Sequence, residues 1–278
     1  MDVDNAPAET SVMTAVDPSD TSTAGQSNSG IHISESYPMN VPGRKRGLAR
    51  IFSHETFSLP LKTRKGTRVD VDRLKSLLQN FGFQVEVRMN YSKKNILEEL
   101  LQVSKLDHSN NECLAIFVLT HGFPDMLSAD DDFYNVSELW SPFTKERCPS
   151  LKGKPKLFFI QACRGESERL KEVREIRKTP DESDFLIAYA TVEGHYSFRD
   201  ILSGSWFIKE VYNVLDAYGR KYDLLTLLTF VAQQIALNYV SNTLHPETHD
   251  KKQVPSIVNT LVRRLYFFPE EAEEVPAC

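Results

Sequence analysis

The sequence predicts an α/β domain built on a mostly parallel sheet with helices on its faces. Two observations carry this. Leu114–Leu119, Leu157–Ile160 and Phe185–Tyr189 are short, wholly apolar or nearly apolar runs, as expected of strands buried on both faces. Between residues 47 and 119, strand-like and helix-like stretches alternate in a βαβαβ order, which produces parallel strands with helices packed against them.

Taken in order, residues 1 to about 39 are rich in Ser, Thr, Ala, Asp and Pro and nearly free of aromatics. Such a segment buries too little apolar surface to offset the entropy of ordering, so it reads as disordered. Gly47–Ser53 is the first strand, and Leu59–Thr67 is a loop. Val69, Leu74, Leu77, Leu78 and Phe81 recur at helical spacing. Gln84–Met89 alternates polar and apolar, as a strand does. Ser92 is placed to cap a helix with Ile96, Leu97, Leu100, Leu101 and Val103 on its inner face, and Leu114–Leu119 is the third strand.

Asp130–Tyr134 reads as a turn into a short hairpin, and Leu139–Phe143 as a short helix. Glu166–Lys178 is a charged run of mixed sign, the pattern of a solvated, partly helical linker. After Phe185–Tyr189 come the loop Thr191–Arg199, a helix over Trp206–Tyr218 with Ser205 or Ser203 near its N-cap, and a helix over Leu224–Val240. Beyond the polar loop Ser241–Asp250, Pro255–Asn259 and Leu265–Phe268 are read as final strands, and Glu270–Cys278 as a frayed acidic tail.

The 278 residues suffice for one sizeable domain, with an ordinary 41% hydrophobic and 26% charged composition. A net charge of −5 argues against a nucleic-acid partner. No run reaches the roughly 18 apolar residues of a membrane span, and no signal peptide opens the chain, so no membrane association is expected. The four cysteines, Cys113, Cys148, Cys163 and Cys278, lack C-x-x-C spacing. That indicates neither a disulfide framework nor a metal site, points to a reducing cytoplasm, and leaves no call for a cofactor.

The chemistry gathers at Lys156–Gly165. Cys163 stands at the carboxyl end of a buried strand, where open α/β sheets place their sites. Arg164 beside it favours a thiolate, the reactive form. His121-Gly122 stands 42 positions earlier, at the end of another buried strand, so parallel neighbours would bring His and Cys to one edge. Gly122 lets the backbone approach a ligand closely.

Gln161-Ala-Cys-Arg-Gly165 resembles the caspase signature, whose His stands roughly 50 residues before its Cys. The likeness runs from about Arg46 to Phe268 and includes Ser205-Trp-Phe-Ile208 and Lys252-Gln-Val-Pro255. It is closest to the short-prodomain effector type, insect-like in flavour. The resemblance implies a three-layer caspase-like fold with a central sheet of about six strands. It also implies a prodomain over 1–40, a large-subunit region over 41–165, a linker over 166–181, a small-subunit region over 182–269 and the tail over 270–278.

The resemblance further implies Cys163 as nucleophile and His121 as acid/base, the latter oriented by a backbone carbonyl near Lys62. The amides of Gly122 and Cys163 would form an oxyanion hole. Arg64 and Arg199, with the Gln161 amide between them, would hold a substrate Asp just before the cut bond. Taken singly, each arginine would read as a surface residue; the family motif lifts them. Ser197, Tyr196, Phe198 and Trp206 map to the substrate cleft. Asp200, where the family commonly carries Asn, is expected to weaken preference for an acidic residue at the outer pocket, because like charges repel.

Asp20 and Asp181 are candidate processing points, although 166–178 contains no Asp. Expected partners are protein substrates, a second copy or another caspase paired along Ile257–Leu261, and inhibitor-of-apoptosis proteins. The expected role is apoptotic execution. A competing reading is a weakly active homologue that regulates another caspase by pairing with it, supported by the Asp-free linker, Asp200 and Phe123-Pro124.

Overall fold

A strand that is apolar on both faces needs cover on both sides, and the fold provides it. The computed structural model describes residues 35–165 and 180–269. The expectations for the segment before residue 35 with Asp20, for the linker run 166–179 and for the tail from 270 lie outside the described residues.

The anticipated alternation is present: β1 (Lys45–Ser53), α1 (Thr67–Asn80), β2 (Gln84–Met89), α2 (Lys93–Ser104) and β3 (Asn111–Leu119). A small antiparallel meander follows, β4 (Gly122–Phe123), β5 (Met126–Ser128) and β6 (Phe133–Asn135), then the short helix α3 (Ser137–Trp140) and β7 (Lys156–Gln161). The remaining elements are β8 (Phe185–Tyr189), the hairpin β9 (Arg199–Asp200) and β10 (Gly204–Ser205), α4 (Trp206–Tyr218), α5 (Leu224–Asn238) and β11 (Ser256–Asn259).

The central sheet has six strands in the order β11-β8-β7-β3-β1-β2. Every pair is parallel except β11 against β8. Alternate residues of the buried strands feed two cores. Ala49, Ile51, Phe117, Leu119, Leu157, Phe159 and Ala188 pack against Leu74, Leu77, Val211 and Leu228 of α1, α4 and α5. Leu48, Phe52, Ile116, Val118, Phe158 and Ile187 pack against Ile96 and Leu100 of α2 and Leu139 of α3. This is the three-layer α/β architecture, with period-2 strands serving helices on both faces.

Side-chain caps mark the starts of α2 and α5. The Ser92 hydroxyl accepts from the Asn95 amide at α2, and Asp223 caps α5 by accepting from the Leu225 and Thr226 amides. At α4 Ser205 holds the N-cap position, but its hydroxyl donates to Asp70 instead. Leu101 is 49% exposed rather than inward-facing, because Ile96, Leu100 and Val103 already define the buried stripe of α2.

Leu265–Phe268 does not form the strand expected of it. A single bridge joins Arg264 to Ser36. The Leu265 carbonyl then accepts from Leu224, and the Phe267 carbonyl accepts from buried Arg46. Its backbone groups are thus spent on a helix start and an arginine, while Leu265 and Phe267 serve as core anchors. Packed chain also begins before residue 41: Tyr37 and Met39 are buried in the first core.

Candidate active site

Register places the candidate residues together. β3 and β7 are parallel neighbours with Leu119 opposite Gln161, so His121 and Cys163 each stand two residues past the end of adjacent strands. β1 flanks β3 on its other side with Ser53 opposite Leu119, so the loop carrying Lys62 and Arg64 leaves the same edge. The loop after β8 brings Tyr196, Ser197, Phe198 and Arg199 there as well.

His121 is fixed on one nitrogen. Its Nε2 lies 2.7 Å from the Lys62 carbonyl oxygen, which only accepts, so Nε2 carries the proton and Nδ1 is the basic nitrogen. The Phe57 ring centroid lies 5.1 Å from that of His121, and the His54 ring stacks on Phe57 at 5.8 Å. Burial pushes the His121 pKa down to about 4, aided by Arg64, Arg199 and His54 and opposed by the Lys62 carbonyl. The imidazole is therefore neutral near pH 7. Gly122 has no room for a side chain: a Cβ there would stand 2.8 Å from the Cys163 carbonyl and 2.9 Å from Ala162 Cβ.

Cys163 is half-buried, and Ser197 rests on it. The Ser197 amide donates to Sγ across 3.4 Å, and the Ser197 carbonyl lies 3.6 Å away. Gln161 reaches the same serine, its Nε2 donating to Oγ across 2.9 Å, while its buried Oε1 has no partner among the described residues. Arg164 turns aside: its guanidinium lies 4.1 Å over the Tyr189 ring and 3.8 Å from Glu193. Arg64 and Arg199 each share an electrostatic interaction with Cys163.

Arg64 is fully buried. Its Nη1 donates to the His54 carbonyl and to Thr67 Oγ1, while Nε and Nη2 have no hydrogen-bond partner among the described residues. Burial, with Arg199 adding repulsion, pushes its pKa down to about 9. Arg199 donates from Nε to the Lys65 carbonyl. Arg64 is thus a buried cation with two unused donors on one edge, and such a guanidinium edge is the geometry that pairs with a carboxylate bidentately.

The profile described as "Caspase domain" matches residues 46–266. The chain belongs to the caspase family.

This caspase is 42% identical to caspase-1 of Drosophila melanogaster over 242 residues, covering 82% of the chain and 75% of the relative. It is 35% identical to caspase-3 of Mus musculus over 251 residues, covering 87% and 90%. The crystal structure of caspase-1 from Spodoptera frugiperda superposes with a TM-score of 0.78 at 42% identity, covering 86% of this chain and 97% of that one. The relatives are of the effector type, and the chain is a cysteine-type endopeptidase with a role in apoptosis.

Beyond the arginines, the Phe198 and Trp206 rings lie tilted with centroids 4.8 Å apart, and the Tyr239 ring lies tilted 5.0 Å from Trp206. Tyr196 is exposed and packs over Gly165. The Asp200 carboxylate accepts from the Ser203 and Leu202 amides, which hold it below the usual carboxylate range. It is ionised and solvent-facing. Asp181 is exposed on the segment that enters β8. Sequence reasoning passed over Thr67, Asp70, Phe57 and Tyr239. Only Thr67 and Asp70 left a trace, as polar residues one helical turn apart where α1 should be apolar.

Proposed function

We propose that this caspase cuts proteins after Asp, with Cys163 as nucleophile and His121 as acid and base. The observation that supports it most is Arg64, a fully buried guanidinium with two unpaired donors at the sheet edge that carries Cys163 and His121. Arg64 and Arg199 clamp the substrate carboxylate, and the Gln161 amide borders it.

Neutral His121 takes the Cys163 proton through Nδ1, and the Lys62 carbonyl steadies the imidazolium that results. The thiolate adds to the scissile carbonyl, whose electrons move onto oxygen beside the Gly122 and Cys163 amides. The carbon–nitrogen bond then breaks, and the leaving amine takes the proton from His121. Water, deprotonated by His121, hydrolyses the thioester and frees Cys163. The reaction needs no metal or cofactor. β11, which among the described residues has a pairing neighbour on one side only, is the edge along which a second chain adds. The setting is the cytoplasm.

A second reading, a weakly active partner of another caspase, draws on the Ser197 contact, which crowds the thiol, and on the Asp-free stretch 166–178. The test is turnover of a fluorogenic Asp-ended peptide by the full chain, before and after an added protease cuts the linker, beside Cys163→Ala. Turnover that falls to background in Cys163→Ala supports the peptidase. No turnover in either state moves the function to the regulatory reading.

A further inference from the structure

One buried carboxylate at the site takes no part in the chemistry above. Asp70, on the first turns of α1, is fully buried. Its two oxygens accept from the Ser205 amide at 2.9 and 3.1 Å, and the Ser205 hydroxyl donates to Oδ2 in a further short bond. Ser205 closes β10, whose register pairs Ser205 with Arg199 on β9. Asp70 therefore reaches the pocket arginine through one hairpin rung.

The fit between α1 and this hairpin is close. Gly204 has φ +80°, and a Cβ there would stand 2.2 Å from Asp70 Oδ1, so only glycine admits the contact. One turn along, Arg73 donates to the Ser203 carbonyl. One turn back, Thr67 accepts from Arg64 and shares a hydrogen bond with Ser53. The start of α1 thus holds both arms of the pocket: Thr67 holds Arg64, and Asp70 holds the hairpin of Arg199. Arg64 and Arg199 in turn offset the buried charge of Asp70.

We propose that Asp70 is a positioning residue for substrate recognition, fixing the Arg199 hairpin through Ser205 so that both guanidinium groups meet the substrate carboxylate. This rests on the peptidase reading above. A loosened hairpin weakens the grip on the carboxylate in the ground and transition states alike, so KM rises while kcat holds.

The experiment compares the unsubstituted full chain, linker cut, with Asp70→Ala, Asp70→Asn and Ser205→Ala on the Asp-ended fluorogenic peptide. Alkylation of Cys163 by iodoacetamide, a small neutral reagent, is read in parallel. Expected is a KM raised about tenfold in Asp70→Ala and about threefold in Ser205→Ala, with kcat within about twofold and the alkylation rate unchanged. Asp70→Asn keeps an acceptor for the Ser205 amide and a donor for its hydroxyl, so its KM returns to within about threefold of the unsubstituted chain. If Asp70→Ala does not fold, Ser205→Ala and Asp70→Asn decide. An unchanged KM in the folded Ala variants overturns the proposal, as does an Asp70→Asn no better than Asp70→Ala. No turnover by the unsubstituted chain counts against the peptidase reading and not against Asp70.

Discussion

Arg64 and His121 are where single atoms govern the behaviour of the site. Arg64 presents Nε and Nη2 unpaired, the edge that takes a carboxylate bidentately. Lysine offers a point charge on a flexible stem and cannot reproduce that fork. Arg64→Lys is therefore expected to lower kcat/KM on the Asp-ended peptide about 10- to 100-fold, the equivalent of about 1.5–3 kcal/mol for a hydrogen bond to a charged group. Steady-state kinetics checks it, and a change under threefold sinks it. His121 titrates near 6.5 when unfolded and is pushed down to about 4 in the fold. Between these values the unfolded chain binds a proton that the folded one refuses, so stability falls as pH drops through that window. His54 and His108 are shifted the same way by burial. His121→Asn is expected to flatten, without abolishing, the decline of Tm from pH 6.5 to 4. A decline as steep as in the unsubstituted chain would contradict it.

The β9–β10 hairpin joins Arg199 to α1 through the Ser205–Asp70 bond. Its tip is closed by Asp200, whose carboxylate accepts from two amides of its own turn, so the charge is fixed and stays ionised. Asn at the same position retains the acceptor and loses the charge. Asp200→Asn is thus expected to raise cleavage of peptides with Asp at the outer position relative to matched peptides with Val, by several-fold. An unchanged Asp-to-Val ratio would show that this charge does not reach the substrate. The same hairpin shows why α4 starts without a side-chain cap. Ser205 spends its hydroxyl on Asp70, which exchanges a few tenths to about 2 kcal/mol of helix capping for a link between distant elements.

Three segments far apart in sequence meet beside the sheet. Tyr37 donates from its hydroxyl to Asp184 at 2.6 Å and accepts from the Val262 amide at 3.1 Å. It thereby ties the approach to β1, the entry to β8 and the chain after β11. Glu35 and Arg264 add backbone bonds to the same seam. A cut anywhere in 166–181 would leave this contact between two separate chains. Tyr37→Phe leaves a buried carboxylate and an amide short of a partner, at a cost of about 1–3 kcal/mol. A drop in Tm of several degrees is expected by scanning calorimetry. A drop below one degree would show that the seam is held by packing alone.

Most strands and helices, the parallel sheet and the placing of His121 and Cys163 at one sheet edge are legible in the sequence. They rest on local periodicity, on motif spacing and on the rule that parallel neighbours end at one edge. Leu265–Phe268 misled because apolar content does not reveal where backbone hydrogen bonds go; its carbonyls serve α5 and Arg46 instead of a ladder. Arg64 and Arg199 needed the family motif, since a single arginine carries no periodic signal. Asp70 gave almost none, because its partner Ser205 lies 135 positions away and only the fold brings them together. Short-range pattern determined most of the elements and singled out Cys163; the tertiary structure alone decided which buried charges face one another, because burial and pairing are properties of the packed chain.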